Sequence, residues 1–267
     1  MLKYNSRFYG IKQNEKEYAT FLFGIPFSFC KEKGMEIKKI GVLKTDFPTK
    51  FGLPRQSGIS ENIKAKLIFE PEFRDESCVR GLEGFSYVWI IWGFSECEGK
   101  YQKTVRPPRL GGNKRMGVFA TRSPFRPNSL ALSCLRLEKI EKDKTLGPIL
   151  YLSGADMMDG TPVYDIKPYV PHADMRPDAI GGFADTIEEY KLKVEISDTL
   201  ASRLPESKLD ELIDALSEDP RPSYIENDER EYGFYFDKYE IKFTVQGKDL
   251  TVTDVKYKGE TGNKTKR

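Results

Sequence analysis

Between residues 35 and 158 the apolar segments of this chain are short, strand-like and cut by Gly or Pro, and no long helices alternate with them. MEIKKIGVLKTDF alternates in the manner of a strand. AKLIFEPEF, GFSYVWIIWGF, MGVFATRS, LALSCLRLEKIE and PILYLSGADMM follow it in order. Short β-rich runs with such punctuation predict a twisted antiparallel sheet or barrel. The missing helices exclude a doubly wound α/β fold. No GxGxxG follows a strand and no GxxxxGK[ST] occurs, so neither a Rossmann dinucleotide site nor a P-loop can be built.

After TPVYDIKPYVPHADMRPDAIGGF the character changes, which puts a boundary near residues 171 to 185. YKLKVEIS then reads as a strand, and ESKLDELIDALSEDP as an amphipathic helix with Leu209, Leu212, Ile213 and Leu216 on one face, stopped by Pro220. YGFYFDKYEIKFTVQGKDLTVTDVKY reads as a pair of strands joined through a hairpin at QGKD. The expected class is mainly β: an antiparallel β-barrel at residues 37–175 and a smaller α+β domain at 186–258. Residues 1–36 form an extension and 259–267 a solvated tail. The aromatic run FLFGIPFSFC in the extension, broken by Gly24 and Pro26, reads as a flap packing on the main domain.

With 43 basic and 41 acidic residues the formal charge is only +2, so bulk charge predicts no polyanionic partner. The N-terminus lacks the uninterrupted apolar segment of a signal peptide, and no apolar stretch of about 18 residues occurs, which predicts a cytoplasmic protein with no membrane contact. Cys30, Cys78, Cys97 and Cys134 have no CxxC spacing, which argues against a zinc cage and a secreted disulfide framework. His172 is the single histidine, so triads with a His base and His-ligated metals are hard to assemble; no metal is expected, and His172 itself reads as a loop residue.

Charge placement is uneven. Arg106 to Asn128 holds six Arg and Lys, four Pro, three Gly and no acid, and Gly99 to Leu137 holds nine basic residues and no Asp or Glu. Like charges so close repel, and Pro and Gly forbid a long helix that could splay them outward. Nucleic acid is the commonest anion to need such a surface; the alternative is a solvated face or one paired with distant acids. Tyr101, Phe119 and Phe125 lie among the Arg residues, where a splayed RNA base could stack. SPFRPN fixes φ twice and holds Ser123 and Arg126 extended, as a preformed ligand loop or a structural corner. The neighbouring Arg122, Arg126 and Asn128 favour the ligand.

Two other segments carry chemistry. In LSGADMMDGTPVYDIKPY the carboxylates Asp156, Asp159 and Asp165 follow a strand and could hold a metal, act as a base, bond ribose hydroxyls or cap turns. Capping suits Asp159, which precedes Gly160. In FPTKFGLPRQSGI, Gly52, Pro54 and Gly58 bring backbone amides near whatever Gln56 and Ser57 touch, which suits the polar end of a small ligand.

KFGLPRQSGI, FEPEFRDESCVRGLEGFSYVWIIWGF, VRPPRLGGNKRMGVFATRSPFRPNSLALS and DGTPVYDIKPY, in this order, closely resemble the TsaA-like, or TrmO, family of S-adenosylmethionine-dependent tRNA methyltransferases. The resemblance spans about residues 37 to 170 and resumes at LSEDPRPSY, which is similar to the family's C-terminal QDPRPAY signature. It implies a β-barrel methyltransferase outside the Rossmann type, working as a homodimer on the tRNA anticodon loop. The implied acceptor is N6 of threonylcarbamoyladenosine at position 37 of threonine tRNA. Carried over by motif, S-adenosylmethionine is held by Gln56, Ser57, Gly58 and Ile59, by Ser95 and Glu96, by Arg122, by Leu132, and by Ser153, Gly154, Ala155 and Asp156. Asp156 is also the candidate base. Arg106, Arg109, Lys114, Arg115, Arg126, Asn128 and Lys167 would grip the anticodon loop or the threonyl carboxylate, and Arg221 would reach RNA from the second domain. Two departures stand out: FSE replaces the relatives' FHQ, putting Ser95 at a His position, and RPNSLALS replaces RPNPIGLS, where Ala131 in place of Gly tightens the cofactor wall. The competing readings are a barrel that binds S-adenosylmethionine or RNA without chemistry, and a methyltransferase for another small acceptor.

Overall fold

The computed structural model of the chain describes residues 36–107, 110, 114–186, 190–221 and 230–259. Its strands are β1 (Gly41–Lys44), β2 (Lys64–Phe69), β3 (Tyr87–Gly93), β4 (Thr104–Val105), β5 (Met116–Gly117), β6 (Leu130–Asp143), β7 (Gly147–Ser153) and β8 (Thr161–Pro168), then β9 (Lys193–Glu195), β10 (Tyr232–Phe236), β11 (Tyr239–Gln246) and β12 (Asp249–Tyr257). Six of them close a barrel in the order β1-β2-β7-β6-β3-β8, and every neighbouring pair is antiparallel.

Period-two alternation decides what fills the barrel. Val88, Ile90 and Trp92 of β3, Leu135 and Leu137 of β6, Leu150 and Leu152 of β7, and Ala65, Leu67 and Phe69 of β2 are all buried, as expected for a small barrel packed solid by its own side chains. β6 is the long strand. It pairs with β3 from Leu130 to Arg136 and with β7 from Arg136 to Asp143, where a register shift falls between Leu137 and Lys139. Because β7 ends at Ser153, the stretch Leu130 to Leu135 has a strand on one side only, leaving a seam in the barrel wall.

A second sheet, ordered β10-β11-β12-β9, is antiparallel except for the parallel β12–β9 pair. Among the described residues three helices accompany it: α1 (Pro171–Asp174), α2 (Asp198–Ala201) and α3 (Glu206–Ser217). Leu212, Ala215 and Leu216 of α3 are buried in the same apolar cluster as Phe234, Phe236, Ile241, Phe243 and Leu250. The cluster runs without a break into the barrel. Phe47, fully buried, meets Phe236 edge to face at 5.3 Å, and Phe51 lies 6.1 Å from Phe234. Gly52, at φ +90°, leaves room for the Phe234 ring, which a Cβ there would approach to 2.6 Å.

The architecture is mainly β, a six-stranded antiparallel barrel with a smaller mixed sheet and helix, as the patterning predicts. Individual strands differ. MGVFATRS supplies only Met116–Gly117 before a 3-10 turn at Val118–Ala120. MEIKKIGVLKTDF contributes only its middle, and TPVYDIKPY, carrying two prolines, is strand β8 itself. The expected C-terminal pair is three strands, because Asp237 at φ +48° turns the chain between β10 and β11; the hairpin at Gln246 to Asp249 is as expected. Of the N-terminal extension, everything before Glu36 lies outside the described residues, as does the tail beyond Gly259. Among the described residues no helix is long and apolar enough to cross a membrane.

Phe47→Ala removes the ring that joins the two layers, and is expected to cost about 3–5 kcal/mol, read as a lowered urea midpoint at unchanged m-value.

Candidate cofactor seam and RNA-facing ribbon

The seam brings together Ser57, Gly58, Gly154 and Asp156 of the expected cofactor residues. An unpaired strand edge needs partners for its backbone groups, and two loops supply them. The Ser57 hydroxyl accepts the Cys134 N–H at 3.2 Å. Gly58 donates its N–H to Gly154 O at 2.9 Å, and Gly154 donates to Ile63 O at 2.9 Å. Gly154 sits at φ +81°, and a Cβ there would press on Gly58 Cα and N at 3.3 Å, so this crossing of two backbones requires glycine.

Beside the crossing lies a polar chain, buried at Trp92 and Ser133 and half-buried at Asp156. Trp92 donates its indole N–H to Ser133 Oγ at 2.9 Å, and the Ser133 hydroxyl donates to Asp156 Oδ1 at 2.8 Å. Burial raises the Asp156 carboxyl from 3.8 to about 6, against the opposing pull of Ser133, of its own and the Ser57 backbone N–H groups, and of the Arg122 charge. At neutral pH the group is an ionised carboxylate with more proton affinity than a surface aspartate. Ser153, also buried, donates its hydroxyl to Glu138 at 2.6 Å. Leu132, by contrast, is 52% exposed at the rim of the seam and offers an open apolar wall.

The ribbon begins at the same rim. Arg122 donates through Nη1 to Gln56 Oε1, tying the acid-free segment to the loop that carries Ser57 and Gly58. The ribbon is braced from within: Arg126 Nη1 donates to Val118 O at 3.2 Å and Thr121 O at 2.6 Å, and its guanidinium lies 5.7 Å from the Phe119 ring centroid. Phe119 is 72% exposed and Tyr101 48%, so two aromatic faces stand in solvent among the cations. Arg106, Lys114 and Arg115 are exposed, with Arg115 Nη1 bonded to Thr104 Oγ1 at 3.0 Å. Asn128 is exposed just before β6, and Arg109 lies outside the described residues.

Other expected site residues are placed elsewhere or held differently. Ser95 and Glu96 occupy the exposed 3-10 turn directly after β3, next to the start of β6 through Phe94 N–H to Ser129 O at 2.9 Å. Among the described residues no hydrogen bond joins them to the Asp156 cluster. Lys167 pairs with Asp165 at 3.0 Å on β8, with β3 standing between it and the seam. Arg221 is 14% exposed and is gripped by Asp219. Asp159 caps a turn, accepting from Thr45 N–H and Lys44, both at 3.2 Å. Among the described residues no three His, Cys, Asp or Glu side chains converge as metal ligands. Ser133 and Trp92 were not singled out by motif. The available signal was a polar residue at an inward strand position, since alternation along LALSCLRL points Ser133 into the barrel with Leu135 and Leu137.

The model for the tRNA-methyltransferase O N-terminal domain matches residues 42–175, and that for the TrmO C-terminal domain matches residues 189–258. The chain belongs to the tRNA-methyltransferase O family. Within the family, a tRNA (adenine(37)-N6)-methyltransferase of Escherichia coli (strain K12) is 38% identical over 222 residues, covering 79% of this chain and 93% of that protein. One of the same name from Eikenella corrodens is 45% identical over 164 residues, 61% of this chain and 92% of its own. The crystal structure of TrmO from Pseudomonas aeruginosa superposes with a TM-score of 0.69 at 31% identity, over 84% of this chain and 98% of that one.

The raised Asp156 group sets a pH signature. A carboxyl whose folded pKa lies above its unfolded value binds protons more tightly when folded, so stability falls as pH rises through the window from about 4 to about 6. Asp156→Asn is therefore expected to raise stability at pH 8 by up to about 3 kcal/mol relative to the native chain and to leave it unchanged near pH 4, in urea unfolding at the two pH values.

Proposed function

We propose that this chain is an S-adenosylmethionine-dependent tRNA (adenine(37)-N6)-methyltransferase whose acceptor is N6 of threonylcarbamoyladenosine in the anticodon loop of threonine tRNA. In this reading residues 37–175 are the catalytic domain and 186–258 the smaller one, and the protein works as a homodimer in the cytoplasm. The observation that carries it is an adjacency: Arg122, within the acid-free ribbon, bonds Gln56 at the rim of the seam in which Asp156 is half-buried.

The residues at the seam, with Ser95 and Glu96 of the exposed turn after β3, fit the cofactor's chemistry. Arg122 complements its carboxylate, Asp156 and Glu96 its cationic groups, and the hydroxyls of Ser57 and Ser95 its polar edges. The exposed Leu132 side chain offers an apolar surface, and the Gly58–Gly154 crossing leaves a backbone cradle without side chains. When bound, S-adenosylmethionine supplies an already activated methyl group on a sulfonium. The chain then mainly has to hold the acceptor in line, and positioning of two reactants can lower a barrier by about 7–11 kcal/mol. The N6 lone pair of a carbamoylated adenine is drawn into the adjacent carbonyl, so removal of the N6 proton assists attack. Asp156 receives that proton, with Ser133 fixing the orientation of its carboxylate. The ribbon grips phosphates through Arg106, Lys114 and Arg115, and Phe119 stacks on a splayed base.

Purified chain with S-adenosylmethionine is expected to add one methyl group to threonylcarbamoylated threonine tRNA that lacks it, measured by nucleoside mass spectrometry; no product from a verified substrate overturns the reading. Arg122→Ala should abolish turnover, whereas a barrel that merely binds RNA would show only a smaller salt slope in its affinity. Phe119→Ala should weaken tRNA binding by about 1–3 kcal/mol without changing that slope, in titrations across salt concentrations.

A further inference from the structure

The loop that carries Gln56, Ser57 and Gly58 has no regular structure between β1 and β2, and the barrel alone does not hold its two ends. Both are held by the second domain. At one end Arg55 Nη2 donates to Asp219 O at 3.3 Å and, longer, to Arg221 O at 3.5 Å. Those carbonyls are themselves fixed. Asp219 is 5% exposed at φ +51°, and its carboxylate accepts from Arg221 Nε at 2.8 Å, Arg221 Nη2 at 3.0 Å and Tyr190 OH at 2.6 Å. Burial pushes the Asp219 carboxyl up, and its bonds from Arg221 and Tyr190 more than offset that, leaving it below its ordinary value.

At the other end helix α3 supplies acceptors for backbone amides that have no strand partner. Asn62 N–H donates to Asp214 Oδ2 at 3.3 Å, and Lys64 N–H donates to Glu211 Oε1 at 3.2 Å. Glu211 is 2% exposed, and burial raises its carboxyl against the nearby Lys208 charge. Under the same loop, Gly52 and Phe51 rest on Phe234 of β10. Between these anchors Ser57 and Gly58 are left to face the seam.

We propose that the second domain clamps this loop, and that Arg55, Asp214, Asp219 and Arg221 are positioning residues for cofactor binding. The proposal rests on the reading that Gln56 to Ile59 hold S-adenosylmethionine. It gives Arg221 a part different from an RNA contact: the guanidinium is committed to Asp219, and through the Asp219 and Arg221 carbonyls to Arg55. A loop held in place before the ligand arrives does not have to be ordered by it, and apparent affinity falls in proportion to the fraction of molecules in which the loop is out of place.

The test uses the full chain, S-adenosylmethionine as titrant and no RNA. Arg55→Ala and Asp214→Ala are each expected to raise the calorimetric Kd by roughly threefold to tenfold, with a larger rise in the double variant. Turnover at saturating S-adenosylmethionine should stay near the native value, and Arg55→Lys should recover part of the lost affinity. Alanine suits a helix, so Asp214→Ala keeps α3 intact, and Asp214 lies on a helix away from Gln56, so its effect is independent of direct contact at Arg55. Arg221→Gln should also raise the Kd, although RNA is absent. A double variant with native Kd, even if its urea midpoint falls, overturns the clamp while the site reading stands. A native chain that fails to take up S-adenosylmethionine overturns both.

Discussion

A β-strand presents hydrogen-bonding groups on both edges, and from Leu130 to Leu135 strand β6 has a neighbouring strand on only one. That incomplete pairing is the constraint on which the rest of the site depends. Had β7 continued past Ser153, a strand would cover this edge of β6 and the barrel wall would be shut there. Because it stops, the edge is met by a serine hydroxyl and the wall is finished by two loops crossing at glycine. The polar chain from Trp92 through Ser133 to Asp156 can then lie just inside without being sealed from the surface. A carboxylate in a fully closed barrel would be far harder to ionise.

The two sheets divide the labour along lines that sequence order hides. The barrel contributes the strand edge and the buried carboxylate, while the second domain contributes acceptors for a loop that belongs to the barrel's own stretch of chain. Burying Glu211 and Asp219 costs solvation energy. The cost is met because each carboxylate takes up N–H groups that would otherwise be unpaired. Phe47 against Phe236 and Gly52 against Phe234 set the apolar register between the layers, and the polar anchors are laid over that contact.

Strand content and barrel class were legible because alternation survives wherever one face is buried, as in YVWIIWG and in LALSCLRL. Where it failed, the cause is local. TPVYDIKPY has two prolines, and proline removes a ladder donor, yet Pro162 and Pro168 both lie in registered pairs of β8. MGVFATRS has a partner strand, β4, only at Met116 and Gly117, and it curls after Gly117. The stretches around Gln56, Arg122 and Asp156 carried motif signals, and the fold draws them to one seam. Ser95 and Glu96 carried an equal signal and make no bond to that cluster among the described residues. Ser133 was hidden because a lone serine in an apolar strand is informative only once its inward direction is known. The grip on Arg221 was hidden because the spacing of Asp219 and Arg221 does not show that both turn inward and pair.

Arg126 spends its guanidinium on two carbonyls of its own segment, and this has a kinetic corollary. A stretch such as Val118 to Arg126, braced before any encounter, meets its partner as a finished shape, so capture there is governed by long-range attraction and by how often the faces collide correctly. Such a surface discriminates through how long a bound molecule stays.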